Sequence, residues 1–261
     1  GARPPSSQVS ATGVARPARR PEDRGYSEQR GGTTLHALHT VPGSIRPDLR
    51  SPWCRARADA VTSLGGSPLL VDEWGIDAIY SGSQKCLYCT PGLSPVSFNE
   101  RALEKVRNRQ TKVQSWFMDL NLIMGYWGEG AKRAYHHTAP INALYALHEA
   151  LLMLKEEGLE NAWQRHRKNH LILRAGLEAM GLQFVVNEAD RLPQLNAVSI
   201  PKGVDDATVR GRLLHEYNLE IGAGLGVLAG KVWRIGLMGN SCTEHHVNAL
   251  LAALRQIMAG Q

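Results

Sequence analysis

The feature that most limits how this chain can fold is an abrupt change in composition near residue 57. From Gly1 to Arg57 there are ten Arg, no Lys and four acids (Glu22, Asp23, Glu28 and Asp48), a local excess of six positive charges. The whole chain also carries +6, so everything after Arg57 balances at zero. Strings such as Arg16-Pro17-Ala18-Arg19-Arg20-Pro21 and Arg30-Gly31-Gly32 repeat with neither the period of a strand nor that of a helix, and so offer no face to bury. Residues 1–57 are therefore expected to be disordered or unrelated to the rest, outside any core. Arg-rich, Gly-containing tails can bind polyanions. A solvated tail is the ordinary outcome of this composition, and nucleic acid is not expected as a partner.

With 43% hydrophobic and 21% charged residues, the chain has enough apolar side chains for a globular core. No stretch approaches the roughly 18 to 20 unbroken apolar residues that cross a bilayer, and no charged-then-apolar leader opens the sequence. A membrane protein and a secreted precursor are not expected. The four cysteines (Cys54, Cys86, Cys89 and Cys242) are too few for a disulfide scaffold, and Cys86-x-x-Cys89 has no second pair at zinc-site spacing. Reduced thiols, no metal and a cytoplasm-like compartment are the expectation, with peroxisome and mitochondrion left open.

From about Ala58 the pattern becomes α/β. Pro68–Val71 and Ile76–Tyr80 are short apolar runs bounded by turn residues, hence candidate buried strands. Leu144, Leu147, Leu151 and Leu154 fall at helical spacing before Gly158, and a second helix is expected from about Leu159 to Met180, closed by Gly181. Gln183–Val186, Asn196–Ile200 and Val232–Leu237 read as strands. Asp205 or Asp206 is placed to cap a helix running to about Tyr217, and Thr243 one running to about Met258. No internal repeat is visible.

The most informative stretch is Ile76-Asp77-Ala78-Ile79-Tyr80-Ser81-Gly82-Ser83-Gln84-Lys85, followed by Gly92-Leu93-Ser94-Pro95-Val96. A lysine just past a buried strand can be desolvated for imine chemistry, although a lysine in that position is ordinarily a surface residue. Taken whole, the string resembles the lysine signature of class V pyridoxal-phosphate aminotransferases. Asp59-Ala60-Val61-Thr62-Ser63-Leu64-Gly65-Gly66, Tyr135-His136-His137-Thr138-Ala139-Pro140, Gly158-Leu159-Glu160-Asn161-Ala162-Trp163 and Arg234-Ile235-Gly236-Leu237-Met238-Gly239 resemble landmarks of the alanine–glyoxylate and serine–pyruvate aminotransferases, in family order. The resemblance implies a partial large domain of the aspartate-aminotransferase-like fold (fold type I) at residues 58–157. A small α+β C-terminal domain would follow at 158–261.

Pyridoxal 5'-phosphate is then the implied cofactor, and transamination between alanine or serine and a 2-oxo acid such as glyoxylate or pyruvate the implied activity. Carried over residue by residue, Lys85 becomes the internal-aldimine lysine and the proton shuttle at the substrate α-carbon. Asp59 would face the pyridinium nitrogen, where a carboxylate keeps the ring protonated and able to accept electrons. Val61 would pack on the ring, and Gln84 would lie on the phosphate side. Arg234 would hold the substrate α-carboxylate with its planar fork. Tyr135 and Thr138 resemble residues that reach the cofactor phosphate of a neighbouring subunit, which implies a homodimer.

Other motifs read more plainly. His136 and His137 are adjacent and make a poor metal pair, and His245 and His246 read as surface groups at a helix start. Gly222-Ala223-Gly224-Leu225-Gly226 has no following Lys-Ser and reads as a flexible loop. A cysteine desulfurase would need a mobile nucleophilic thiol, and Cys242 carries no loop signature for one. Residues 1–57 show no Ser-Gly-His-type phosphate loop or stacking aromatic, and Ser51–Arg57 does not read as the strand expected before Asp59. With Gly1 rather than Met at the start, the chain is expected to be a C-terminal piece joined to unrelated sequence. The alternative function is an inactive fragment that serves only for dimerisation or binding.

Overall fold

The computed structural model describes residues 57–127 and 134–260. The Arg/Pro/Gly-rich segment, apart from its last residue, lies outside them. Two three-stranded sheets organise the described residues. In the first, β1 (Arg57–Asp59) runs parallel to β2 (Ala78–Tyr80), which pairs antiparallel with β3 (Val96–Phe98). Ala58 and Ile79 oppose one another and are both buried, joining Leu64, Leu69, Ile76 and Leu87 in a compact apolar cluster. Asp77, 1% exposed beneath β2, accepts hydrogen bonds from Asn99 Nδ2 at 2.9 Å and Arg101 Nε at 2.6 Å. Asn99 also caps α1 (Glu100–Arg107) through the Ala102 amide, so the buried charge is paired where the helix begins.

After α2 (Leu120–Trp127) come two long helices, α3 (Ile141–Glu157) and α4 (Leu159–Ala179), hinged at Gly158. Leu147 and Leu154 of α3 pack on the first sheet's cluster, while Leu144 and Leu151 of the same stripe remain exposed. The second sheet has the order β4 (Leu195–Ser199), β6 (Val232–Gly236), β5 (Gly222–Ala223), all antiparallel. Helices α4, α5 (Asp206–Tyr217) and α6 (Glu244–Ala259) enclose a core centred on the fully buried Trp233, with Leu173, Leu177, Val209, Leu213, Leu251 and Leu254. Trp233 Nε1 donates to Asp206 Oδ1 at 3.1 Å, which ties β6 to the first turn of α5.

Sequence expectations and structure agree on α3 through α6. Asp205 caps α5 through Thr208 N–H, Thr243 caps α6 through His246 N–H, and Asn218 ends α5 in the left-handed conformation. Four expectations need correction. Pro68–Val71 is irregular chain between β1 and β2, because the Leu70 and Val71 carbonyls accept the Trp74 and Ile76 amides in a local turn; Leu69 and Val71 pack on the cluster while Leu70 stays exposed. Gln183–Val186 contributes one bridge, Phe184 to Val198, and no strand. The glycine run at 222–226 is anchored, since Gly222 and Ala223 pair with Arg234 and Trp233. A strand does precede the turn after Asp59: Arg57–Asp59 needs no apolar run because only Ala58 enters the core.

Two buried histidines of α4 make this architecture sensitive to acid. His166 Nδ1 donates to Ala162 O at 2.6 Å and Nε2 accepts the Gly239 amide at 3.1 Å, which assigns a neutral ring. His170 Nδ1 lies 2.7 Å from Asn196 Oδ1 in the second core. Burial is the main cause holding both imidazoles below the usual 6.5. A depressed histidine means that the unfolded chain binds the extra protons, so its contribution is complete above the usual value and is lost as pH falls below it. The urea midpoint should therefore drop between about pH 7.5 and about pH 5, and His166→Gln should flatten that dependence. A midpoint that stays constant over the window would refute the buried neutral pair.

Candidate active site

The turn that leaves β1 and the loop that leaves β2 lie side by side, because the two strands are parallel and in register. Asp59 ends β1. Its Oδ1 accepts the Val61 amide at 2.9 Å and its Oδ2 accepts the Tyr80 hydroxyl at 2.8 Å. The carboxylate is thus held at both oxygens, each with lone pairs to spare for a further donor. Burial is the largest cause, and the bond and charge of Asp59 the next, that push the Tyr80 hydroxyl up to about 12, so it keeps its proton at neutral pH.

The loop after β2 is braced by its own backbone. Ser81 Oγ donates to Ala60 O at 2.9 Å, Ser83 Oγ to Thr90 O at 2.7 Å, and Cys89 N–H to Ser83 O at 3.0 Å. Small residues are needed here so that the chain can fold back under the Asp59 turn. On that support sit Gln84, exposed, and Lys85, half-buried, whose carbonyl accepts the Tyr88 amide at 2.9 Å. Tyr88 has φ 54, a left-handed conformation costly for a bulky residue and most often retained where surroundings over-determine it.

What over-determines it is the turn beyond β6. A Cβ on Gly239 would stand 2.5 Å from Tyr88 Cβ, and Gly239 itself has φ 58. Arg165 clamps the turn, with Nη1 donating to Gly239 O at 2.7 Å and Cys242 O at 3.0 Å, and with its guanidinium paired to Glu157. A second link is Gln194, which donates to Ser67 Oγ and whose own carbonyl accepts Leu237 N–H. A Cβ on Gly66 would meet Gln194 Nε2 at 2.6 Å and Cys86 Sγ at 2.8 Å, so only glycine allows this approach. The strand of Arg234 is thereby docked on the loop of Lys85. Arg234 is half-buried on β6 and donates through Nε to Ala223 O at 2.6 Å; burial pushes the pKa of its guanidinium below the usual arginine value.

Tyr135 and Thr138 lie in the exposed stretch before α3 and face one another, with their hydroxyls 2.5 Å apart. His136 stacks on Trp116 at 4.0 Å and shares a hydrogen bond with His137 between Nδ1 atoms 2.8 Å apart. No cluster of metal-ligating side chains occurs among the described residues. Cys242 is fully buried, receives Asn169 Nδ2, and has its thiol pushed up by burial, the opposite of an activated nucleophile. The large apolar cavity, of about 660 Å³, lies between β2 and α3 and not at Lys85; Leu64, Ile79, Leu147 and Leu154 line it, with Tyr80 at its margin.

A family model described as aminotransferase class-V matches residues 51–250. The chain belongs to the class-V aminotransferase family. It is 44% identical over 207 residues to the alanine–glyoxylate aminotransferase of Callithrix jacchus, a span of 78% of this chain and 50% of that one. To the (S)-ureidoglycine–glyoxylate transaminase of Bacillus subtilis it is 38% identical over 246 residues, 87% of this chain and 58% of that one. The solved structure of alanine–glyoxylate aminotransferase from Nostoc superposes with a TM-score of 0.80 at 48% identity, over 85% of this chain and 60% of that one. The chain thus spans about half the length of the curated relatives it matches. Its fold is that of the PLP-dependent fold type I transferases.

The donor set fits this family's cofactor at two of its ends. Asp59 is a carboxylate held at both oxygens, a group whose chemistry suits a ring nitrogen, and Lys85 is a half-buried primary amine, a group whose chemistry suits an aldehyde. Gln84 stands beside the lysine on the outer side. Tyr80, Tyr88, Arg165 and Gln194 escaped sequence reading. Only Tyr80 left a signal there, as the aromatic at the end of the strand that leads into the lysine loop.

Proposed function

We propose that this chain carries the lysine-centred part of a pyridoxal 5'-phosphate site. The reaction moves an amino group from a small amino acid, alanine or serine, to a 2-oxo acid such as glyoxylate or pyruvate. The junction of β1 and β2 supports this best: a doubly held Asp59 ends one strand, and the neighbouring strand leads into the loop that carries Lys85. Two relatives whose names share glyoxylate favour it as acceptor. When bound, the cofactor supplies an aldehyde for amines and a ring that draws electrons away from the carbon bearing them.

The residues divide the work. Lys85 Nζ would hold the cofactor through its aldehyde and, once freed by the substrate amine, would be the base that carries the α-proton across the C–N unit. Asp59 would face the ring nitrogen and favour its protonated form, Val61 would pack on the ring, and Gln84 would lie toward the phosphate. Arg234 would grip the substrate α-carboxylate with its planar fork and so orient the α-carbon. Tyr135, 74% exposed, and Thr138 serve the site of a second copy; exposed Trp116, Phe117, Met118 and Tyr145 give that copy apolar surface to cover.

Borohydride reduction of the chain with pyridoxal 5'-phosphate, followed by peptide mapping, should place the pyridoxyl group on Lys85. A label on Lys112 or Lys231 instead would overturn the assignment. Arg234→Lys keeps the charge and loses the fork, so KM for the amino acid should rise about tenfold or more, on the scale of a charge-assisted hydrogen bond. Cofactor affinity should hold. Equal loss of both would mark Arg234 as a structural residue.

A further inference from the structure

The Asp59 carboxylate has a second partner in the Tyr80 hydroxyl, 2.8 Å from its Oδ2. We infer that Tyr80 is a positioning residue of the cofactor site, whose hydroxyl, bonded to Asp59 Oδ2, fixes the plane in which that carboxylate meets the ring nitrogen. This rests on the reading of Asp59 given above. A carboxylate held only by the Val61 amide on Oδ1 can swing about that bond, and a second donor on Oδ2 removes the swing. Parallel register supplies the donor: Asp59 and Tyr80 are direct partners on β1 and β2, so their side chains leave the sheet on the same face.

The position gives little other reason for a phenol. The Tyr80 residue is 47% exposed at the edge of an apolar cavity, where a phenylalanine would cover the same surface. Its hydroxyl instead reaches an anion at 2.8 Å. Lys85 lies five residues further along the same chain, and Ser81, the next residue, ties that chain to Ala60. One short segment therefore sets both the carboxylate's orientation and the amine's place. Because the hydroxyl keeps its proton through the neutral range, it donates under all ordinary working conditions.

The test compares pyridoxal 5'-phosphate with its 1-deaza analogue, in which carbon replaces the ring nitrogen, by equilibrium dialysis against the wild-type, Tyr80→Phe and Asp59→Asn chains. Tyr80→Phe should weaken pyridoxal 5'-phosphate about tenfold, the scale of one hydrogen bond to a charged group, and leave the analogue's affinity within about twofold. Equal weakening of both ligands would make Tyr80 merely structural and overturn the inference. Discrimination retained in Tyr80→Phe but lost in Asp59→Asn would overturn it too, while upholding Asp59. Failure of the wild-type chain to discriminate, or to bind either ligand, would bring down the reading of Asp59 and this inference with it. A cofactor-free measurement stands beside these. With 13C at tyrosine Cζ, the Tyr80 resonance should titrate at lower pH in Asp59→Asn than in wild type; an unmoved midpoint would show that the two side chains are not bonded.

Discussion

The Lys85→Ala chain is expected to lose transamination by about 1,000-fold or more, while melting where the wild type melts. The size follows from asking one group to do two things. General acid–base catalysis by a placed side chain is worth about 10² to 10⁴-fold, and covalent capture of the aldehyde adds to it. The unchanged melting temperature follows from the place of the side chain: Lys85 is half-buried on a loop whose bracing comes from Ser81, Ser83 and Tyr88, through bonds the alanine chain keeps. Pyridoxal 5'-phosphate should still bind, reversibly and more weakly, since Asp59 and Gln84 remain. Added methylamine should restore a measurable fraction of the rate, because a small free amine can take the α-proton from the space the lysine left. Residual activity above about a tenth of wild type, with no added amine, would place the reacting amine elsewhere.

Much of this site was readable in the sequence as identity and little as arrangement. Lys85, Asp59 and Arg234 stand in strings long enough to be recognised whole, and α3 to α6 announce themselves through leucine spacing, Asp205 and Thr243. What stayed hidden depends on register and on contacts across the chain. Asp59 and Tyr80 are 21 positions apart, and only the pairing of Arg57–Asp59 with Ala78–Tyr80 puts them on one face. That pairing was itself hard to see, since β1 and β2 are three residues each and bury one side chain apiece, Ala58 and Ile79. Pro68–Val71 misled for the reverse reason: its apolar residues pack singly from an irregular chain. Arg165 looks like any charge on a polar helix until the turn at 239–242 folds over it.

That turn carries the last expected result: Gly239→Ala should lower the melting temperature by about 4–20 °C and weaken cofactor and amino acid together. Two costs add. An alanine held near φ 58 pays about 1–2 kcal/mol for the left-handed conformation, and its Cβ would lie 2.5 Å from Tyr88 Cβ, an overlap worth about 1–3 kcal/mol when neither side yields. Neither side has an easy escape. The turn is held by Arg165, by His166 on the Gly239 amide and by Asn169 on Cys242 O, while Tyr88 is the root of a residue already left-handed. At about 2–4 °C per kcal/mol for a chain of this size, the sum gives the expected shift. Relief must move either the turn that follows Arg234 or the loop that carries Lys85, which is why both affinities should suffer where Arg234→Lys touches one. Tyr88→Gly, which removes the struck atom and suits φ 54, should recover more than about 1 kcal/mol of the loss when combined with Gly239→Ala. Additive effects in that double-mutant cycle would mean that the two sheets' loops are not packed against one another at this point, and that Arg234 is aligned with Lys85 by some other contact.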